Sequence, residues 1–95
     1  MKRNQALNVL DELVQFLRAH ADYERANILE DIRLRLSRSE VTKLSRDDEL
    51  SLFGGMGSLS DLIISKENHH AVIDEKAANA ALDRLRSRLR AAIDG

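Results

Sequence analysis

The stretch AANAALDRLRSRLRAAI, Ala77 to Ile93, decides how the rest of the chain is read. Ala78, Leu82, Leu85, Leu89 and Ala92 recur at spacings of four, three, four and three, with Ala81 and Ile93 beside them, which is the period of a single buried helix face. Asp74, just upstream, is placed to cap that helix. The small alanines at its start leave room for another backbone, and the glycine-rich stretch upstream is the expected visitor. Four arginines flank the seam, Arg84 and Arg88 on one side, Arg86 and Arg90 on the other. They read either as a nucleic-acid surface or as solvated edges whose apolar stems cover the core. The second reading is favoured, because the only aromatics, Phe16, Tyr23 and Phe53, do not interleave with the arginines.

The same period appears twice upstream. From about Asn4 to His20, the residues Leu7, Leu10, Val14 and Leu17 lie three and four apart with Leu13 alongside, and His20 falls near the C-terminus of that first helix. Asp22 can cap a second helix reaching to about Ser37, with Tyr23, Ala26, Leu29, Ile32 and Leu36 on one face and Ile28 widening it. The short connection predicts antiparallel packing of the two. On the outer face Glu30 with Arg33, and Asp31 with Arg35, stand at pairing distance. Val41 and Leu44 then suggest a single turn. Ser45 with Asp48 forms a capping box, with Asp in place of the usual Glu or Gln, that opens a short third helix through Leu50 and Phe53. Asp47, Asp48 and Glu49 fill its first turn, where the helix dipole favours negative charge.

Between the third and last helices lies LFGGMGSLSDLIIS, Leu52 to Ser65, holding three of the four glycines of the chain. Gly54 sits where a left-handed helix cap is expected. Gly55, Met56, Gly57 and Ser58 read either as a compact turn, with Met56 plugged into the core and Ser58 or Ser60 bonded to nearby backbone, or as an anion nest or partner-binding loop. No Gly-Lys-Ser/Thr follows, the third glycine of a dinucleotide fingerprint is missing, and no G-x-S-x-G elbow makes a nucleophile of Ser58. Leu62 to Ser65 and Ala71 to Ile73 are rich in β-branched residues and flank KENHH, which predicts a short β-hairpin or two extended pieces before the last helix. His69 and His70 would face opposite sides of a strand, and Glu67, His70 and Asp74 converge only in a helix, so a solvated loop is favoured over a metal site.

The expected fold is mainly α, one domain over residues 1–95: a small antiparallel bundle of three to four helices with a Gly-rich turn. The chain has no cysteine, which excludes thiol catalysis and thiolate metal sites, and no cofactor is expected. With 15 Lys and Arg against 16 Asp and Glu, the net charge of −1 argues against general nucleic-acid binding. The N-terminus MKRNQALNVLDELVQ is interrupted by Asp11 and Glu12, unlike a signal peptide, and no apolar run approaches the roughly 20 residues that cross a bilayer. A cytoplasmic protein without membrane attachment is therefore expected. Charge is unevenly spread: residues 39 to 61 hold Glu40, Asp47, Asp48, Glu49 and Asp61 against Lys43 and Arg46.

Gly54, Gly55, Met56, Gly57 and Ser58, followed by Asp61 and Leu62 and then by Asn79, Leu82, Leu85 and Leu89, resemble a family of small bacterial domains of unknown function. Such domains are similar in size to the immunity proteins that bacteria keep beside polymorphic toxins. That resemblance implies a non-enzymatic domain that binds and neutralises a cognate protein toxin. The expected contact surface is the acidic start of the third helix with the glycine turn: Asp47, Asp48, Glu49, Gly54, Gly55, Met56, Gly57, Ser58 and Asp61. The alternative is a small structural or regulatory module that self-associates through an apolar helix face, so a monomer and a homodimer both remain open.

Overall fold

The computed structural model of the chain describes residues 1–38 and 43–95; Glu40 and Val41 lie outside the described residues. Four helices form, α1 (Arg3–Ala19), α2 (Tyr23–Arg38), α3 (Arg46–Phe53) and α4 (Glu75–Asp94), with one 3₁₀ turn at Leu59–Asp61. The periodic stretches therefore fold as helices, with ends within two residues of those expected.

Helix α1 lies between α2 and α4 and packs against both. Both neighbours run antiparallel to it. The Arg3 guanidinium donates to the Leu36 carbonyl (2.9 and 2.6 Å) and to that of Ser37 (3.2 Å), so the start of α1 satisfies carbonyls at the end of α2. At the same end the Lys2 amide donates to the Ala92 carbonyl of α4 (2.7 Å), and midway along α1 Arg88 grips Glu12 through two bonds of 3.1 and 2.6 Å. The core is apolar and closed: Leu10, Leu13 and Leu17 meet Leu29 and Ile32 of α2, Leu82 and Leu89 of α4, and Leu52, Leu59 and Ile64 between them. Each such side chain contributes about 1.5–3 kcal/mol when fully buried. The stripe of α2 is narrower than its spacing suggested, because Tyr23 and Ile28 are exposed.

The reversal between α1 and α2 is a Schellman turn. The Asp22 amide reaches the Leu17 carbonyl (2.8 Å) and the Ala21 amide that of Arg18 (3.1 Å), with Ala21 held at φ 63° where glycine is usual. Asp22 then caps α2, accepting the Arg25 amide at 3.2 Å. The remaining caps follow the sequence: Ser45 Oγ accepts from the Asp48 amide (3.1 Å) and Asp74 Oδ1 from that of Ala77 (3.0 Å).

The β-hairpin is not there. Among the described residues there is no strand, and the segments 62–65 and 71–73 do not pair. A ladder forms when backbone groups have no better partner, and here side chains take them. Asn79 of α4 accepts from the Ile64 amide (2.8 Å) and donates to its carbonyl (2.9 Å); Asn68 reaches the Ile63 carbonyl, His70 Nδ1 the Ser65 amide and Glu75 the Lys66 amide. The Ala71 amide goes to the His20 carbonyl instead of to residues 62–65. KENHH closes as a turn through the amides of Asn68, His69 and His70. The backbone held at the start of α4 is thus that of Ile64, not the glycine turn.

Candidate functional site

The acidic edge begins at α3. Asp47 and Glu49 are exposed, whereas Asp48 turns inward and binds Arg35 of α2 (2.5 and 3.4 Å), tying α3 to α2. Arg35 therefore reaches across to α3, and Glu30 holds Arg33 as the spacing suggested, with bonds of 2.9 and 2.6 Å. That contact keeps the Glu30 carboxyl below its ordinary range.

The glycine stretch is a rigid projection. Gly54 ends α3 through its amide to the Leu50 carbonyl (2.8 Å), but at φ −80°, not in the left-handed region expected of it. Glycine is required there by close approach, since a Cβ would stand 2.4 Å from the Leu50 oxygen. The left-handed positions come next, at Gly55 (φ 101°) and Gly57 (φ 80°). Buried Ser58 locks the turn: its Oγ accepts from the Gly55 amide (3.1 Å), donates to the Gly55 carbonyl (2.6 Å) and meets Ser60 Oγ (3.0 Å). Asp61 Oδ2 accepts a long bond from the Gly57 amide (3.4 Å). The anion-nest reading thus has an internal answer, for the two glycine amides already face oxygens of Ser58 and Asp61.

Between those glycines Met56 is 99% exposed. The reading that plugged it into the core is corrected: the left-handed residues on either side swing the chain outward, and Leu52, Leu59 and Ile64 fill the space beneath. On α3 Leu50 is 52% exposed, and Phe53 carries the Arg90 guanidinium 4.3 Å above its ring. Arg46, Glu49, Leu50, Phe53, Gly54 and Arg90 line a shallow hollow of about 400 Å³. The pairing of Phe53 with Arg90 was invisible in the sequence, where 37 positions separate them.

The arginines of α4 are mostly committed. Arg86 gathers the carbonyls of Leu59 (3.0 Å), Ser60 (3.3 Å) and Leu62 (2.9 Å) and also pairs with Asp83, which pins the segment after the glycine turn. Arg88 holds Glu12 and lowers its carboxyl pKa, chiefly by direct hydrogen bonding. Arg90 stacks on Phe53 and reaches Asp94 (3.4 Å).

A second, polar cleft of about 710 Å³ opens between the start of α2 and residues 61–70. The solvated-loop reading holds for exposed His69, at φ 66°, but not for His70, which is buried. His70 Nδ1 accepts from the Ser65 amide (3.1 Å), so the ring carries its proton on Nε2 and donates it to Asp22 Oδ2 (2.9 Å). Both ring nitrogens are engaged, leaving none to take a proton from a substrate. Burial pushes the Asp22 carboxyl up, but the hydrogen bonds from His70 and the Arg25 amide, with the nearby Arg25 charge, outweigh it and hold the group below its usual value. Glu67, His70 and Asp74 do not converge, and among the described residues no three His, Asp or Glu side chains form a metal-holding group. Nor is any described helix long and apolar enough to cross a membrane.

Comparison with curated proteins and with solved structures finds no match. A family model described as a domain of unknown function (DUF6966) matches residues 18–73. The matched region runs from the end of α1 through α2, α3 and the glycine turn, and stops before Asn79, Leu82, Leu85 and Leu89 of α4. It takes in the Met56 projection and the Asp22 and His70 pair, and since it spans more than half of the chain, this protein belongs to the DUF6966 family.

Proposed function

We propose that the chain is a non-catalytic protein-binding domain, an immunity protein of bacterial type that neutralises a cognate toxin by direct association. Met56 carries this reading. It stands fully in water on a turn whose backbone is held by Ser58 and Asp61, which presents a flexible apolar side chain to a partner. Because the turn is preformed, docking orders little more than the Met56 side chain. Leu50 and Phe53 on α3 add apolar area in a hollow that Glu49, Arg46 and Arg90 line, while Asp47 and Asp61 carry exposed negative charge. The complementary partner is an apolar pocket with a basic rim, a charge arrangement that speeds encounter. Gly54, Gly55 and Gly57 shape the projection and Ser58 holds it from within.

The test is protection. Cells expressing a toxin encoded beside this gene are expected to survive with the wild-type chain and to die with Met56→Asp, while purified Asp47→Lys slows association and reduces its salt dependence. Protection and binding that are both indifferent to Met56→Asp would reject this surface.

A further inference from the structure

On the other flank of α4 lies an apolar groove of about 640 Å³, lined by Phe16 and Ala19 of α1, Val72, and Ala77 and Ala81 of α4. Ile73 stands at its lip and is 99% exposed, although Phe16 and Val72 beside it are partly buried. We infer that this groove is a homodimer interface, in which a second copy lies end for end along α4 and Asp74 of each chain meets Arg84 of the other.

The occupant is specified by charge and register. Asp74 and Arg84 bracket the alanines, ten residues or about 15 Å apart along the helix, and both are exposed. Arg84, unlike its three arginine neighbours on α4, has no ion-pair partner among the described residues. A two-fold axis that sets Ala77 of one chain against Ala81 of the other also sets Asp74 against Arg84, twice. The groove itself sets Phe16 beside Ala77, Ala78 and Ala81, near that crossing. Ile73, adjoining Asp74, is carried into the contact beside Arg84 of the second copy. Alanines at the crossing allow the helices to approach closely. Knob, groove and both charges sit on one face, as a self-complementary contact requires. Arg90 and Arg86 hold the hollow beside Gly54 and the segment after the glycine turn on the other flank of α4, so a dimer leaves the turn open.

Sedimentation of the full chain from the low micromolar to the submillimolar range tests this. The wild type is expected to reach twice the 10.7 kDa monomer mass. Ile73→Asp and Arg84→Glu, both at exposed positions, are each expected to raise the dissociation constant by at least about tenfold, with circular dichroism unchanged. Met56→Asp is expected to leave it unaltered. A chain that stays monomeric throughout, a dimer that survives either Ile73→Asp or Arg84→Glu undiminished, or one that Met56→Asp dissolves, overturns the proposal.

Discussion

The side-chain amide of Asn79 closes both backbone hydrogen bonds of Ile64, accepting from its N–H at 2.8 Å and donating to its carbonyl at 2.9 Å. One carboxamide does for Ile64 what a neighbouring strand would have done, and Ile64 is fully buried, so water cannot replace it. Asn79→Leu orphans a donor and an acceptor at once. A loss of about 2–4 kcal/mol is expected, read from the denaturant midpoint, since each unpaired buried group costs about 1–3 kcal/mol. Asn79→Asp keeps the acceptor and should lose less. Equal stability of Asn79→Leu and wild type would show that Ile64 finds other partners.

Acid should reveal the Asp22 cluster. The folded carboxyl lies below its unfolded value, so its contribution is complete above the ordinary carboxylate range, about pH 4, and is lost as pH falls through the folded pKa. Asn also caps helices well, so Asp22→Asn removes the ionic part while keeping the cap. The stability gap between wild type and Asp22→Asn is expected to be widest near neutrality and to close on acidification. A gap independent of pH would mean that the charge contributes nothing.

Backbone strain at Ala21 can be relieved. Its φ of 63° is the left-handed conformation in which a Cβ is disfavoured by about 1–2 kcal/mol. Ala21→Gly should raise the midpoint by up to about 1 kcal/mol, the gain being trimmed by the greater freedom of glycine in the unfolded chain.

The opposite holds at the projection. Gly55 has nothing within 4 Å of an added Cβ, so Gly55→Ala suffers backbone strain alone, at φ 101°. A loss of about 1–2 kcal/mol is expected. Chemical synthesis with D-alanine at this position, which accepts positive φ, should restore the midpoint; continued loss with the D-residue would point to a steric cause.

Met56→Asp should be silent in the isolated protein. A fully exposed position ordinarily changes stability by no more than about 0.5 kcal/mol. If partner association then falls by at least about tenfold, the loss belongs to contact and not to folding. A lowered melting temperature in the variant would remove that separation.

What could be seen in the sequence was whatever is written locally. The stripes of α1 and α4, the caps Ser45, Asp22 and Asp74, and the Glu30 and Arg33 pair each depend on residues a few positions apart. The hairpin failed because its premise, backbone groups needing a strand, was cancelled from a distance by Asn79, 15 positions downstream of Ile64. His70 was misplaced for a similar reason, since its partner Asp22 lies 48 positions away. Met56 shows another limit. Apolar character favours burial, but the core was already filled by leucines and Ile64, and two left-handed glycines aimed the side chain outward. Tyr23 opens α2 at the end of its stripe, past the point where α1 covers it.

The central position of α1 also orders events during synthesis. Its partner α2 follows after a three-residue turn, so those two can pair as soon as α2 has left the ribosome, a contact of low sequence separation that forms quickly. The other side of α1 must wait for α4, more than fifty residues later. Until then the nascent chain carries bare leucines on its middle helix, and a ribosome stalled before Glu75 would present chaperones and proteases with half a core.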